Sequence, residues 1–254
     1  MEQDHASTGF SHRGEAQQRR VVESLSVDLL EDEAHAPSRD IVLARRLAVI
    51  GIAGVLVSFA AIALLHVMAP SRSLDPLSRT ISEYALLPNG WIFDWSVVLL
   101  AVSSVIVLVA MVLREMVDAR SWGAVMTIVW SIGLVGLVVF PKQGMGPDPS
   151  VAGRVHWTWT LIAFFSLPIG AYLMARRHRV IAGRWPTWAV RLSMVSAGWF
   201  LVLAGQTVLS AVSPIEAWRV VGLVERALSL TEMAVVVMLG LWVIHDSKPP
   251  AVPS

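Results

Sequence analysis

Six apolar runs, at about residues 47–69, 93–113, 122–140, 155–175, 188–210 and 223–244, constrain this chain more than any other feature. A helix rises about 1.5 Å per residue and crosses bilayer hydrocarbon with roughly 20 apolar residues. Each run has that length. Hydrocarbon offers no water to backbone N–H and C=O groups, so a spanning segment is a helix or a strand of a closed barrel. Barrel strands are shorter and alternate in polarity, and no such pattern appears. The expected fold is all-α: a polytopic integral membrane protein, a six-transmembrane-helix bundle with short interfacial helices in the outer loops. Charged residues are 15% of the 254, well below the roughly 25% of soluble domains.

Tryptophan supports these boundaries, because its ring and N–H are both accommodated at headgroup level. Trp91, Trp95, Trp157, Trp159 and Trp218 fall at one set of run ends, and Trp122, Trp185, Trp188 and Trp242 at the other. Only Trp130 and Trp199 lie well inside a run.

Lys and Arg set the orientation. Thirteen lie in segments on the side of the termini, with Arg45–Arg46 and the Arg176–Arg184 loop abutting spans; six lie on the other side. Both termini are therefore expected in the cytoplasm of a cell whose inner (plasma) membrane holds the bundle. Loops at about 70–92, 141–154 and 211–222 then face outward. Residues 1–46 carry nine acidic and six basic side chains without an apolar stretch. They read as a disordered cytoplasmic tail, with no cleavable signal peptide. Residues 47–245 form the transmembrane domain, and 246–254, with three prolines, a second disordered tail. The chain has no cysteine, which excludes disulfides and thiol chemistry. Nothing in it suggests a cofactor or a nucleic-acid surface. Expected partners are membrane lipids, a membrane-protein partner or a second copy.

The first outer loop is rich in helix-start chemistry. Asp75 before Pro76 suggests an N-cap with proline at N1, and Thr80 with Glu83 fits a capping box. Ser78 and Ser82 would share a face if one helix ran through both. Ser213, Pro214 and Glu216 repeat the device in the third outer loop.

Polar groups within spans are costly and face the bundle. Here they collect towards the outer side: His66, Asp75, Glu83, Asp94, Lys142, His156, Gln206, Glu225, Arg226 and Glu232. Glu225, Ser229 and Glu232 are spaced i, i+4, i+7, a single stripe that must point inward. Arg226 is expected to pair with a carboxylate of a neighbouring helix, and Lys142 and Asp94 are candidate countercharges. Two readings follow: ion pairs that join helix ends, or an outward polar pocket. A Ser–His–carboxylate set of Ser82, His156 and Glu225 would suit acyl transfer, although no Gly-x-Ser-x-Gly elbow is present. His66 and His156 lack metal-ligand spacing, and no metal is expected. Gly51, Gly54, Ser58, Gly123, Gly133 and Gly136 would let helices approach closely.

Asp75-Pro76-Leu77-Ser78, then Ser82-Glu83-Tyr84-Ala85-Leu86 and Gly90-Trp91, resemble the signature after the first span of a bacterial six-helix family, domain of unknown function 998. Phe140-Pro141, Val155-His156 and Gly222-Leu223-Val224-Glu225-Arg226 resemble further pieces of it, so the likeness covers about residues 47–245. The family often has Thr-Asp after Phe-Pro, where this chain has Lys142-Gln143 and an acid only at Asp148. It often has a second His in the fourth span, near which this chain has Thr160. The resemblance implies fold and membrane location and no activity. It also implies that Ser82, His156 and Arg226 belong to one outer site.

The resulting expectation is a cell-envelope membrane protein with a pocket formed by Asp75, Ser78, Ser82, Glu83, His156, Arg226 and Glu232. The pocket would bind a lipid or small amphiphile, or the protein would support a membrane complex. A membrane-embedded lipid hydrolase or acyltransferase and a small transporter are the alternatives.

Overall fold

Each apolar run becomes a helix in the computed structural model, which describes residues 39–145, 150–178, 183–212 and 220–245. The helices are α1 (Arg39–Leu65), α2 (Trp91–Leu113), α3 (Trp122–Val139), α4 (Val151–Ala175), α5 (Arg184–Val212) and α6 (Val221–His245). All six are long and apolar enough to cross a membrane, and no strand occurs among the described residues. The chain falls into two units, Met1–Val42 and Leu43–Ser254. Of the first, only Arg39–Val42 is described, as the opening turn of α1. The helix thus takes in residues 39–46 of the segment expected as a tail. Tail residues 1–38 and 246–254, the acid at Asp148 and the expected third-loop helix at Ser213–Glu216 lie outside the described residues.

Local chemistry sets several helix ends. Ser121 Oγ accepts from Ala124 N–H at 3.3 Å to start α3, and Ser150 Oγ accepts from Gly153 N–H at 3.0 Å to start α4. These side chains satisfy backbone donors that the first turn leaves open. α3 ends at Phe140, immediately before Pro141, which cannot continue a helix.

Backbone approach at glycine joins α3 to α4. A Cβ on Gly133 would stand 2.9 Å from Ala163 N, and one on Gly136 would strike the Trp159 ring. Gly54 and Ser58 serve contacts inside the bundle: a Cβ on Gly54 would meet the Ser103 hydroxyl of α2, and Ser58 Oγ donates to Ser96 O at 2.7 Å. The main core holds Trp130, Trp242, Tyr84, Leu65, Met111 and Leu167. α1 and α5 are the least covered helices, with 22% and 17% of their central stretches buried, against 50–56% in the others.

Trp91, Trp95, Trp122 and Trp188 are 47–72% exposed, as residues at a membrane interface should be. Trp242 departs from that expectation. It is 2% exposed, because it packs edge-on against His178 with ring centroids 5.3 Å apart.

Candidate functional site

The first outer loop folds differently from its capping signals. It forms a 3₁₀ turn at Ser71–Ser73 and a 3₁₀ helix at Ile81–Leu86. Asp75 does act as a turn-starter: Oδ1 accepts from Leu77 N–H at 3.1 Å, and Oδ2 accepts from Ser78 Oγ at 2.5 Å. These bonds hold its carboxyl below the usual carboxylate range, the Ser78 hydroxyl contributing most. The capping box does not form. Thr80 Oγ1 meets Ser82 Oγ at 3.2 Å, and Glu83 turns away to a buried ion pair with Lys142 Nζ at 3.2 Å. No single helix therefore runs through Ser78 and Ser82.

This loop is fastened to the first turns of α6. Gly222 lies so close to it that a Cβ would collide with Arg79 O and Pro76 O. Leu223 N–H donates to Leu77 O at 3.1 Å. Ile81 N–H donates to Glu225 Oε2 at 2.9 Å. Arg226 Nη1 donates to Pro76 O at 2.8 Å, Arg79 O at 2.7 Å and Gly222 O at 3.0 Å. Nη2 reaches Tyr84 Oη at 3.2 Å, and Nε reaches His66 Nε2 at 2.9 Å. The two sequence motifs, Asp75–Leu86 and Gly222–Arg226, are thus one structural unit. Arg226 meets five acceptors, none a carboxylate, which corrects the expected ion pair. Lys142 pairs with Glu83, and Asp94 makes no ion pair among the described residues.

Below this unit lies a cavity of about 370 Å³, within the roughly 300–1,000 Å³ range of ligand pockets. Its walls are mostly apolar, with Phe59 and Ile62 from α1, Phe93 and Val97 from α2, Leu134 from α3 and Phe164 from α4. The α6 stripe supplies the polar line expected from its spacing: Glu225, Ser229 and Glu232 all border the cavity. Glu232, 2% exposed, accepts from Trp130 Nε1 through Oε2 at 3.1 Å. Its Oε1 and the buried Ser196 hydroxyl of α5 lie near each other but make no hydrogen bond of ordinary length. A buried polar atom left unmatched costs about 1–3 kcal/mol.

The most exposed lining side chains belong to α1 and α6. α1 and α6 meet at two levels, through His66 and Arg226 at one and where Gly240 abuts Ile52 at the other. Between these levels both helices line the cavity, and Phe59 and Leu230 there are 45% and 53% exposed. Both side chains belong to apolar membrane-length helices.

Of the residues singled out in the sequence, Ser82, Glu225, Arg226 and Glu232 border the cavity, while Asp75, Ser78, Glu83 and His156 do not. His156 is buried, and its Nδ1 donates to Phe140 O at 2.9 Å. The Ser82 hydroxyl has Thr80 as its neighbour, so Ser82, His156 and Glu225 are not assembled as a nucleophile, base and orienting acid. Among the described residues no three His, Cys, Asp or Glu side chains come together as a metal site. Sequence reasoning placed His66 among the outer polar groups and Tyr84 in the family-like motif but missed their roles beside Arg226. Trp130 stood out only as one of two tryptophans deep inside a span.

Six membrane-length helices, five of which line a part-open apolar cavity, define a multi-pass membrane protein. The chain belongs to the family described as Protein of unknown function (DUF998), whose model matches residues 52–242. No curated protein and no solved structure matches it.

Proposed function

We propose that this protein binds a membrane amphiphile, with the hydrocarbon chain in the cavity and the polar part towards the Arg226 end. The observation that carries this reading is an apolar cavity whose exposed lining side chains, Phe59 and Leu230, lie on the membrane-length helices α1 and α6. A soluble ligand would call for a polar approach from water, whereas these exposed side chains are apolar. The excess of Lys and Arg on the terminal side supports an Arg226 end at the outer face of a plasma membrane. Lipid extraction and mass spectrometry of protein purified in native-lipid nanodiscs test the proposal. One amphiphile class enriched over the surrounding lipid, and reduced by Leu230→Trp, is the expected result; lipid in bulk proportions would refute it.

A structural role for the fastening unit stands beside this function, because Glu83, Lys142 and Arg226 are all held by other protein groups. A hydrolase or acyltransferase gains no support from the arrangement of Ser82 and His156. No observation favours transport.

A further inference from the structure

Resting on that reading, we infer the chemistry of the amphiphile's polar group: it donates hydrogen bonds, as an amine or a hydroxyl does, and is not a phosphate or carboxylate. The inference comes from which polar atoms bordering the cavity are already matched. Among the described residues that line the cavity, Arg226 is the only Lys or Arg. Four of its five N–H donors are engaged: Nε–H by His66 Nε2, the two of Nη1 by the carbonyls of Pro76, Arg79 and Gly222, and one of Nη2 by Tyr84 Oη. An anionic group would meet a single remaining N–H, and a two-point grip would require it to displace those acceptors and unfasten the loop from α6. Thr160 is likewise committed, donating to His156 O at 3.0 Å.

The groups left are carboxyl oxygens and one hydroxyl. Glu232 borders the cavity, and its buried Oε1 makes no bond of ordinary length, with the Ser196 side chain nearby. Glu225 borders the cavity and engages Ile81 N–H through Oε2 alone. Ser229 lies between them on the same stripe. Glu225 and Glu232 are seven residues apart, roughly 10 Å along the helix. Two carboxyl groups flanking a hydroxyl in an apolar wall complement a donor and disfavour an anion. The pocket therefore selects by charge type, through what Arg226 withholds as much as through what the acids offer.

Four amphiphiles with one chain and different heads separate the possibilities: hexadecylamine, hexadecanol, hexadecanoate and hexadecyl phosphate. Binding is read by displacement of a fluorescent fatty alcohol from the full-length protein in nanodiscs. Hexadecylamine and hexadecanol should bind about tenfold or more tightly than hexadecanoate and hexadecyl phosphate, a margin of one buried hydrogen bond. Glu232→Gln and Glu225→Gln, which keep side-chain shape, should shrink the preference for the amine. Equal binding of all four would overturn the head-group inference and leave amphiphile binding standing. Tighter binding of the phosphate or carboxylate would also overturn it. If none of the four displaces the probe, amphiphile binding itself fails and the inference falls with it. The ranking on the unsubstituted protein decides the matter even if a variant folds poorly.

Discussion

Arg226 Nε donates to His66 Nε2 across 2.9 Å, so the histidine that follows α1 accepts a hydrogen bond from an arginine of α6. A guanidinium only donates, and the Ile62 carbonyl beside Nδ1, at 2.9 Å, only accepts. The ring must therefore carry its proton on Nδ1 and present a bare Nε2 to Arg226. Both side chains border the cavity. The same arginine fastens the 3₁₀ segment to α6.

Replacing Arg226 should consequently cost more than one bond. Arg226→Ala leaves the Pro76 and Arg79 carbonyls and His66 Nε2 without their donor, a loss of about 3 kcal/mol or more. Arg226→Lys should recover little, because an ammonium lacks the planar fork that reaches His66 and the loop together. Thermal unfolding of the three proteins in one detergent checks both statements. A melting temperature for Arg226→Ala equal to that of the parent would contradict the fastening role.

The Glu83–Lys142 pair makes a second test. Their side chains are 1% and 8% exposed, with Nζ 3.2 Å from Oε1. Removing one partner leaves a charge in a poorly solvated place, which costs about 3–5 kcal/mol. Glu83→Gln and Lys142→Met should each destabilise strongly, and the double variant by clearly less than their sum. Additive effects in the double-mutant cycle would show that the two side chains are not coupled.

Asp75 supplies the pH dependence. The Ser78 hydroxyl and the Leu77 N–H stabilise its carboxylate, so its folded pKa lies below its ordinary value of 3.8. A depressed pKa contributes stability above the unfolded value and loses it as pH falls through the folded one. Acidification from about pH 5 downward should therefore lower the melting temperature less in Asp75→Asn than in the parent. The difference will be small, since the group is fully exposed. Parallel curves for the two proteins would remove Asp75 from the acid response.

The cavity's exposed lining on α1 and α6 is testable because the natural chain has no cysteine. A single thiol from Leu230→Cys, at a side chain 53% exposed, should react with a membrane-permeant maleimide. Bound hexadecanol should slow that reaction several-fold. A labelling rate unaffected by saturating hexadecanol would place the chain elsewhere.

Close approach of α3 to α4 predicts intolerance at Gly133. A methyl group there would press on backbone at Ala163, 2.9 Å away, and overpacking of this sort costs about 1–3 kcal/mol. Gly133→Ala should lower the melting temperature, whereas Gly198→Ala, where a Cβ meets nothing within 4 Å, should not.

What the sequence disclosed and what it hid follow from the range of the forces. Spans are written in contiguous hydropathy, so all six were legible, with α1 starting earlier, at Arg39. The inward stripe of Glu225, Ser229 and Glu232 was legible because helical periodicity is local. The partners of Arg226 were not, because backbone carbonyls have no residue identity to read. Pro76 O and Arg79 O become acceptors only when the loop folds back 147–150 positions to meet α6. The capping box failed for a related reason: Glu83 had a distant competitor in Lys142, 59 positions on. The cavity itself is a gap between helices that no single segment encodes.

The two kinds of helix contact described above imply unequal backbone protection along this chain. α3 and α4 lie backbone to backbone at Gly133 and Ala163, an arrangement that leaves little room for local opening. α1 has about a fifth of its most apolar stretch buried and is tied to α6 at its middle, through Ile52, and just past its C-terminal end, through His66. Amide exchange between Ile52 and His66 should accordingly run faster than in α3 or α4. A molecule in the cavity would brace that stretch from within, so occupancy would register as slowed exchange on the lipid-facing side of α1.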